Sequence, residues 1–134
     1  MNKTFTLNLS QVFFLGQVLQ VVKPADFAQH RKKNKMLKAL DDGFDLYDGK
    51  VNEYKDRLTN KTEEELRTAS KELDAELKAG NVEITVDREA LDYIKGAYSG
   101  VFSDENAKTY INANRQNSIM FEDVFEILDQ AKVV

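Results

Sequence analysis

The chain reads as a mostly helical α+β domain. A long antiparallel helical hairpin is expected to protrude from a compact α/β body that holds a small two-stranded β element. Three observations predict this. Residues 4–9 and 82–87 alternate apolar and polar side chains, the period of a half-buried strand. Most other segments repeat their apolar residues at spacings of three and four, the period of a helix. Leu37, Leu40, Phe44, Tyr47, Val51, Tyr54 and Leu58 follow one another at 3, 4, 3, 4, 3 and 4, three heptads with every core site apolar or aromatic. The 134 residues suit one domain, with 1–23 and 82–134 forming the body and 24–80 the hairpin.

In chain order, Phe5, Leu7 and Leu9 point one way from the first strand. Ser10 is placed to cap a short helix that runs to about Val22. Apolar residues nearly encircle that helix, so it is expected to be buried on most sides. Gly16 at its middle costs about 1 kcal/mol against Ala, a sign of close packing there. The Lys23-Pro24 pair ends it, because a residue before proline avoids the α region. Pro24 then opens the long helix, which taken to Leu58 would span about 50 Å. Gly43 and Gly49 mark either a kink or a close crossing in it.

The stretch Thr59-Asn60-Lys61 is a turn, and Thr62 with Glu65 forms a capping box. A helix with Leu66, Ala69, Leu73 and Leu77 on one stripe follows and stops at Gly80-Asn81. Val82, Ile84 and Val86 form the second strand, set to pair with the first. Asp87 caps a helix holding Leu91, Ile94 and Tyr98. Ser103 is placed to cap a short helix with Ala107, Tyr110 and Ile111, and residues 119–131 form the last helix.

Composition excludes several chemistries. The chain has no cysteine and a single histidine, so disulfides, thiolate nucleophiles and cysteine metal sites are out of reach. A Ser-His-Asp triad could draw only on His30. No phosphate-binding glycine loop, nucleophile elbow or zinc-protease motif occurs. The acids around Asp41 miss the calcium-loop spacing, with Gly43 at its third position and Leu46 at its sixth. No catalytic residue, cofactor or metal is expected. The longest apolar stretch, residues 12–22, is interrupted by Gln17 and Gln20 and falls short of a bilayer span; no signal-peptide pattern opens the chain. The expected location is the cytoplasm, with no membrane partner.

Charge is the most polarised feature. Lys3, Lys23, Arg31, Lys32, Lys33, Lys35 and Lys38 face only Asp26 within residues 1–38, while 22 of the 23 acidic residues lie beyond. Arg31, Lys32, Lys33, Lys35 and Lys38, with Tyr47 and Tyr54 of the heptad seam, are the candidate partner-binding residues. The basic cluster would suit an acidic protein or a phosphate backbone, whose affinity falls steeply with salt. It would equally suit a solvated helix face, or pairing with the acidic helix that holds Glu63, Glu64, Glu65, Glu72, Asp74 and Glu76. The aromatics of the last third, Tyr93, Tyr98, Phe102, Tyr110, Phe121 and Phe125, read as core.

Three stretches resemble a family of small uncharacterised proteins from phages and prophages of Gram-positive bacteria. They are Phe5-Thr-Leu-Asn-Leu9 with Val12-Phe-Phe-Leu15, then Gln29-His-Arg-Lys-Lys33 running into Met36-Leu-Lys-Ala-Leu40, and Phe102-Ser-Asp-Glu-Asn-Ala107 with Tyr110. Asp104 stands where that family has Gly, and the family's Trp-Cys in the following segment is missing. The resemblance implies a phage context, with the host cell's cytoplasm as the location, and a small accessory protein that works by binding. The expected function is therefore non-enzymatic: protein–protein contact in virion or tail assembly, or a minor structural role. A phage inhibitor that lays its acidic surface on a host or defence enzyme is the alternative, and a nucleic-acid regulator using residues 31–38 the second. The expected partner is a phage structural or host protein, with self-association left open.

Overall fold

The computed structural model describes all residues, Met1–Val134. The element order is β1 (Asn2–Asn8), α1 (Leu9–Val21), α2 (Phe27–Glu53), a 3-10 turn (Asp56–Leu58), α3 (Glu63–Ala79), β2 (Asn81–Asp87), α4 (Arg88–Gly100), a second 3-10 turn (Val101–Ser103), α5 (Glu105–Asn112), α6 (Arg115–Asp129) and β3 (Lys132–Val133). The mostly helical class with a small antiparallel sheet is as the periodicities predict.

The sheet has three strands, not two, in the order β2-β1-β3. Phe5 pairs with Ile84 and Leu7 with Val82, so the alternation of both strands sends one set of apolar side chains inward. Thr6, Glu83 and Thr85 stay exposed on the other face. β3 adds only two pairs, Lys3 with Val133 and Thr4 with Lys132. Two residues are too short to show any alternation, and that is why the sequence pattern hides this strand.

Several caps differ from expectation. Asn8, not Ser10, caps α1. Its side chain accepts from the Gln11 amide at 2.8 Å while the Gln11 side chain accepts from the Asn8 amide at 2.9 Å. Asp26, not Pro24, stands at the entry to α2 and accepts from the Gln29 amide. Pro24 lies in the linker before it. A carboxylate at the positive end of a helix satisfies an orphan amide, which a proline at the first position does not. Asp104, not Ser103, caps α5 by accepting from the Ala107 amide at 2.9 Å. Thr62 caps α3 as expected, but the Glu65 carboxylate accepts a hydrogen bond from the Thr62 hydroxyl instead of from the Thr62 backbone amide. α6 begins at Arg115, four residues earlier than the apolar spacing suggests, because Asn114 caps it.

α2 is unbroken through both glycines and is about 40 Å long at 1.5 Å per residue. Gly43 is a crossing point: a Cβ there would lie 2.9 Å from Val12 Cγ1. Gly16 plays the same part from α1, where a Cβ would meet the Phe44 ring at 2.8 Å. The two glycines let α1 and α2 pack backbone to side chain across the middle of the core. Gly80, read as a helix stop, has an ordinary negative φ. Its cause is a close approach instead, since a Cβ would sit 2.9 Å from Leu9 Cδ1.

The core gathers 22 buried residues from β1, β2, α1, α2, α4, α5 and α6, with Val22 just after α1 and Val101 of the second 3-10 turn. α1 supplies Val12, Phe14, Leu15, Val18 and Leu19, as its near-encirclement by apolar residues predicts. α2 gives Met36 and Leu40, so its first half is part of the body and does not stand clear of it. Only the far half forms a hairpin with α3. Tyr54, Ala69 and Leu77 are buried there but lie outside the main core. The heptad thus serves two partners in turn, α1 first and α3 afterwards. No helix is long and apolar enough to cross a membrane.

Candidate partner-binding surfaces

The basic cluster does not form one patch. Lys33 turns back along the linker and its Nζ donates to the Val22 carbonyl at 2.8 Å, which holds the end of α1 to α2. Lys32 is half-buried. Arg31, Lys35 and Lys38 are exposed on one side of α2. Of these, Lys35 reaches the Asp87 carboxylate at 3.7 Å. Asp87 has a lowered pKa, first because it accepts the Glu89 amide at the start of α4 and then through the nearby Lys35 charge. None of the five basic residues pairs with the acidic helix α3, contrary to one of the expectations. The ion pairs of α3 are Arg57–Glu72, Arg67–Glu63 and Lys78–Asp74.

The two tyrosines of the seam part company. Tyr54 is only 7% exposed, so it is not a free docking residue. Its pKa is raised, chiefly by the neighbouring Glu76 carboxylate of α3, and Arg57 lies over its ring at 4.8 Å. It clasps α2 to α3. Tyr47 is half-buried and its ring stacks on Phe13 with centroids 4.5 Å apart. Burial raises the Tyr47 pKa, with smaller contributions from Asp48 and Tyr110. His30 has Asn34 as its side-chain partner, at 3.2 Å, and no carboxylate to orient it as a base. Nowhere do three His, Cys, Asp or Glu side chains gather as metal ligands would.

The surface the sequence hid lies along α1. Phe13, Gln17 and Gln20 fall at i, i+4 and i+7, one stripe of a helix that otherwise faces the core. On the α2 side, Phe13, Gly16, Gln17, Gln20, Leu37, Phe44, Tyr47 and Asp48 line a groove of about 300 Å³. On the α5 side, Gln17, Gln20, Val18, Val21, Asn106, Ala107, Tyr110 and Ile111 line a narrower one of about 160 Å³. Phe14 stacks on Tyr110 with centroids 6.0 Å apart, so the stripe is flanked by a tyrosine on each side. Phe13 is 37% and Tyr110 41% exposed. Asp48 is the one charge lining either groove, in a chain whose residues are 31% charged. The clue was in the sequence: two glutamines inside an apolar run mark the side of α1 that meets water. Tyr98, Phe121 and Phe125 are core or half-buried as expected, but Tyr110 and Phe102 reach the surface.

No protein-family model, no curated protein and no solved structure matches the chain.

Proposed function

We propose that this chain is a non-enzymatic phage accessory protein that docks on another phage protein during virion or tail assembly, or as a minor structural component. The observation that carries the docking is the Phe13–Gln17–Gln20 stripe between Tyr47 and Tyr110. Aromatic side chains are what protein interfaces enrich, and charged side chains are what their centres deplete. Rigid tyrosines flanking a groove give contact area at small cost in ordering. The phage context rests on the resemblance of residues 5–15, 29–40 and 102–110 to the phage and prophage family.

The inhibitor reading has its own support. Glu63, Glu64, Glu72 and Asp74 are exposed on α3, an acidic surface of the kind that occupies a basic groove. The nucleic-acid reading is left with Arg31, Lys35 and Lys38, since Lys33 is tied to the Val22 carbonyl.

Affinity capture of tagged protein from phage-producing cells separates these readings. The wild-type chain is expected to bring down a tail or head protein, and Phe13→Asp to lose it while keeping the helical circular dichroism of the wild type. Capture of a host nuclease, polymerase or defence protein that survives Phe13→Asp and is lost on reversing Glu64 and Glu72 would replace assembly by inhibition.

A further inference from the structure

The outer side of α2 is a second surface, which meets the α1 grooves only at Asp48. Its exposed residues recur at i, i+3, i+4 and i+7 from Arg31 to Glu53, so a continuous strip about 33 Å long faces solvent. The strip is divided by sign. Arg31, Lys35 and Lys38 occupy the first third. Asp41, Asp42, Asp45 and Asp48 follow, with no exposed base among them. Lys35 and Lys50 are the only α2 bases in an ion pair, and the four aspartates have none within the chain.

Two further features fit nothing inside the molecule. Leu46 is 54% exposed, the one large apolar residue on the strip. Gly49 has no atom within 4 Å of where a Cβ would sit, although glycine inside a helix is destabilising against alanine. At Gly16 and Gly43 a neighbouring side chain explains the glycine; at Gly49, as at Gly96 and Gly100 of α4, no neighbour does.

We propose that α2 pairs antiparallel with α2 of a second copy, across a two-fold axis near residue 40. That arrangement lays the basic third of each strip on the acidic part of the other. Lys38 lies opposite Asp42 of the second copy, Lys35 is within reach of Asp45, Asn34 meets Leu46, and Arg31 crosses over Gly49, where the missing side chain leaves room for the longest one. The self-complementary pattern is what a two-fold interface requires, because each contact is made twice. Antiparallel helices also oppose their macrodipoles favourably, whereas the charge order along α2 runs against its own dipole. A strip about 33 Å by about 10 Å buries about 700 Å² in total, below the 1,200 Å² or so of stable complexes. The pair is therefore weak and salt-sensitive, suited to copies concentrated in an assembly.

Sedimentation velocity at high protein concentration tests this. Dimer is expected in about 10 mM salt and lost in about 1 M, where the Debye length falls from about 30 Å to about 3 Å. Lys38→Glu and Asp42→Lys should each raise the dissociation constant at least about 10-fold, since each places like charges opposite one another twice. Mixing the two variants restores both opposite-charge pairs, so the mixture should associate about as well as the wild type. A chain that stays monomeric in low salt at millimolar concentration overturns the proposal. So does self-association that salt and both variants leave unchanged, or a mixture that fails to recover it.

Discussion

Replacing Tyr98 by alanine is expected to cost about 3–5 kcal/mol, a large part of the 5–15 kcal/mol that holds a domain of this size together. Tyr98 is fully buried. Its ring stacks on Phe121 at 4.2 Å and on Phe125 at 5.9 Å, and its hydroxyl donates to the Phe121 carbonyl at 2.8 Å. The side chain therefore ties α4 to α6 by packing and by one hydrogen bond. Tyr98→Phe keeps the ring and removes the bond. Its cost should be about 1 kcal/mol, because that carbonyl sits within a helix ladder and keeps a partner. Burial pushes the Tyr98 pKa far above its ordinary value near 10. A group whose folded pKa is raised stabilises fully below its unfolded pKa and loses that contribution as pH climbs above it. The wild type should therefore lose stability above about pH 10, and Tyr98→Phe should flatten that alkaline limb. Urea denaturation followed by circular dichroism at neutral and alkaline pH reads both effects.

Leu40→Ala is the second large effect, about 2–5 kcal/mol by the same assay. Leu40 is fully buried where α2 meets the main core, one turn before the Gly43–Val12 crossing. The crossing leaves little freedom for collapse, since Val12 already lies against the α2 backbone, so the cavity should stay open and the cost fall in the upper half of the range. A loss well under 1 kcal/mol would mean that the heptad seam faces water and that the α1–α2 packing is wrong.

The heptad shows how far a repeat can mislead. Its spacing of 3 and 4 identified the buried side of α2, yet it carries no mark of where one partner ends and the next begins. Phe44 and Tyr47 pack on α1 and Tyr54 on α3, and the residue type is similar throughout. Reading one seam as one hairpin follows from that uniformity. The glycines were more informative than the seam, because Gly16 and Gly43 marked the crossing that decides where α2 lies. Boundaries were lost where two polar residues compete to cap. Asn8 precedes Ser10, Asp104 follows Ser103, and in each pair the amide or carboxylate outreaches the hydroxyl.

The candidate surfaces were legible in part. The basic segment was visible as composition, but its division among three directions depends on helical angle, and the tie from Lys33 to Val22 crosses eleven residues. The α1 grooves were invisible as a site because a helix with apolar residues all round reads as wholly buried. The interruption by Gln17 and Gln20, noted as evidence against a membrane span, was also the trace of the exposed stripe. Tyr110 was read with the core aromatics, and only the α1–α5 contact shows that it borders the surface.

On the proposed function, the α1 stripe docks on another phage protein. A photo-crosslinking residue placed at Gln17, with the same residue at the exposed Lys71 of α3 as the comparison, tests it in phage-producing cells. An adduct with a virion protein is expected from position 17 and none from position 71. An adduct from position 71 alone would contradict it and move the function to the acidic helix.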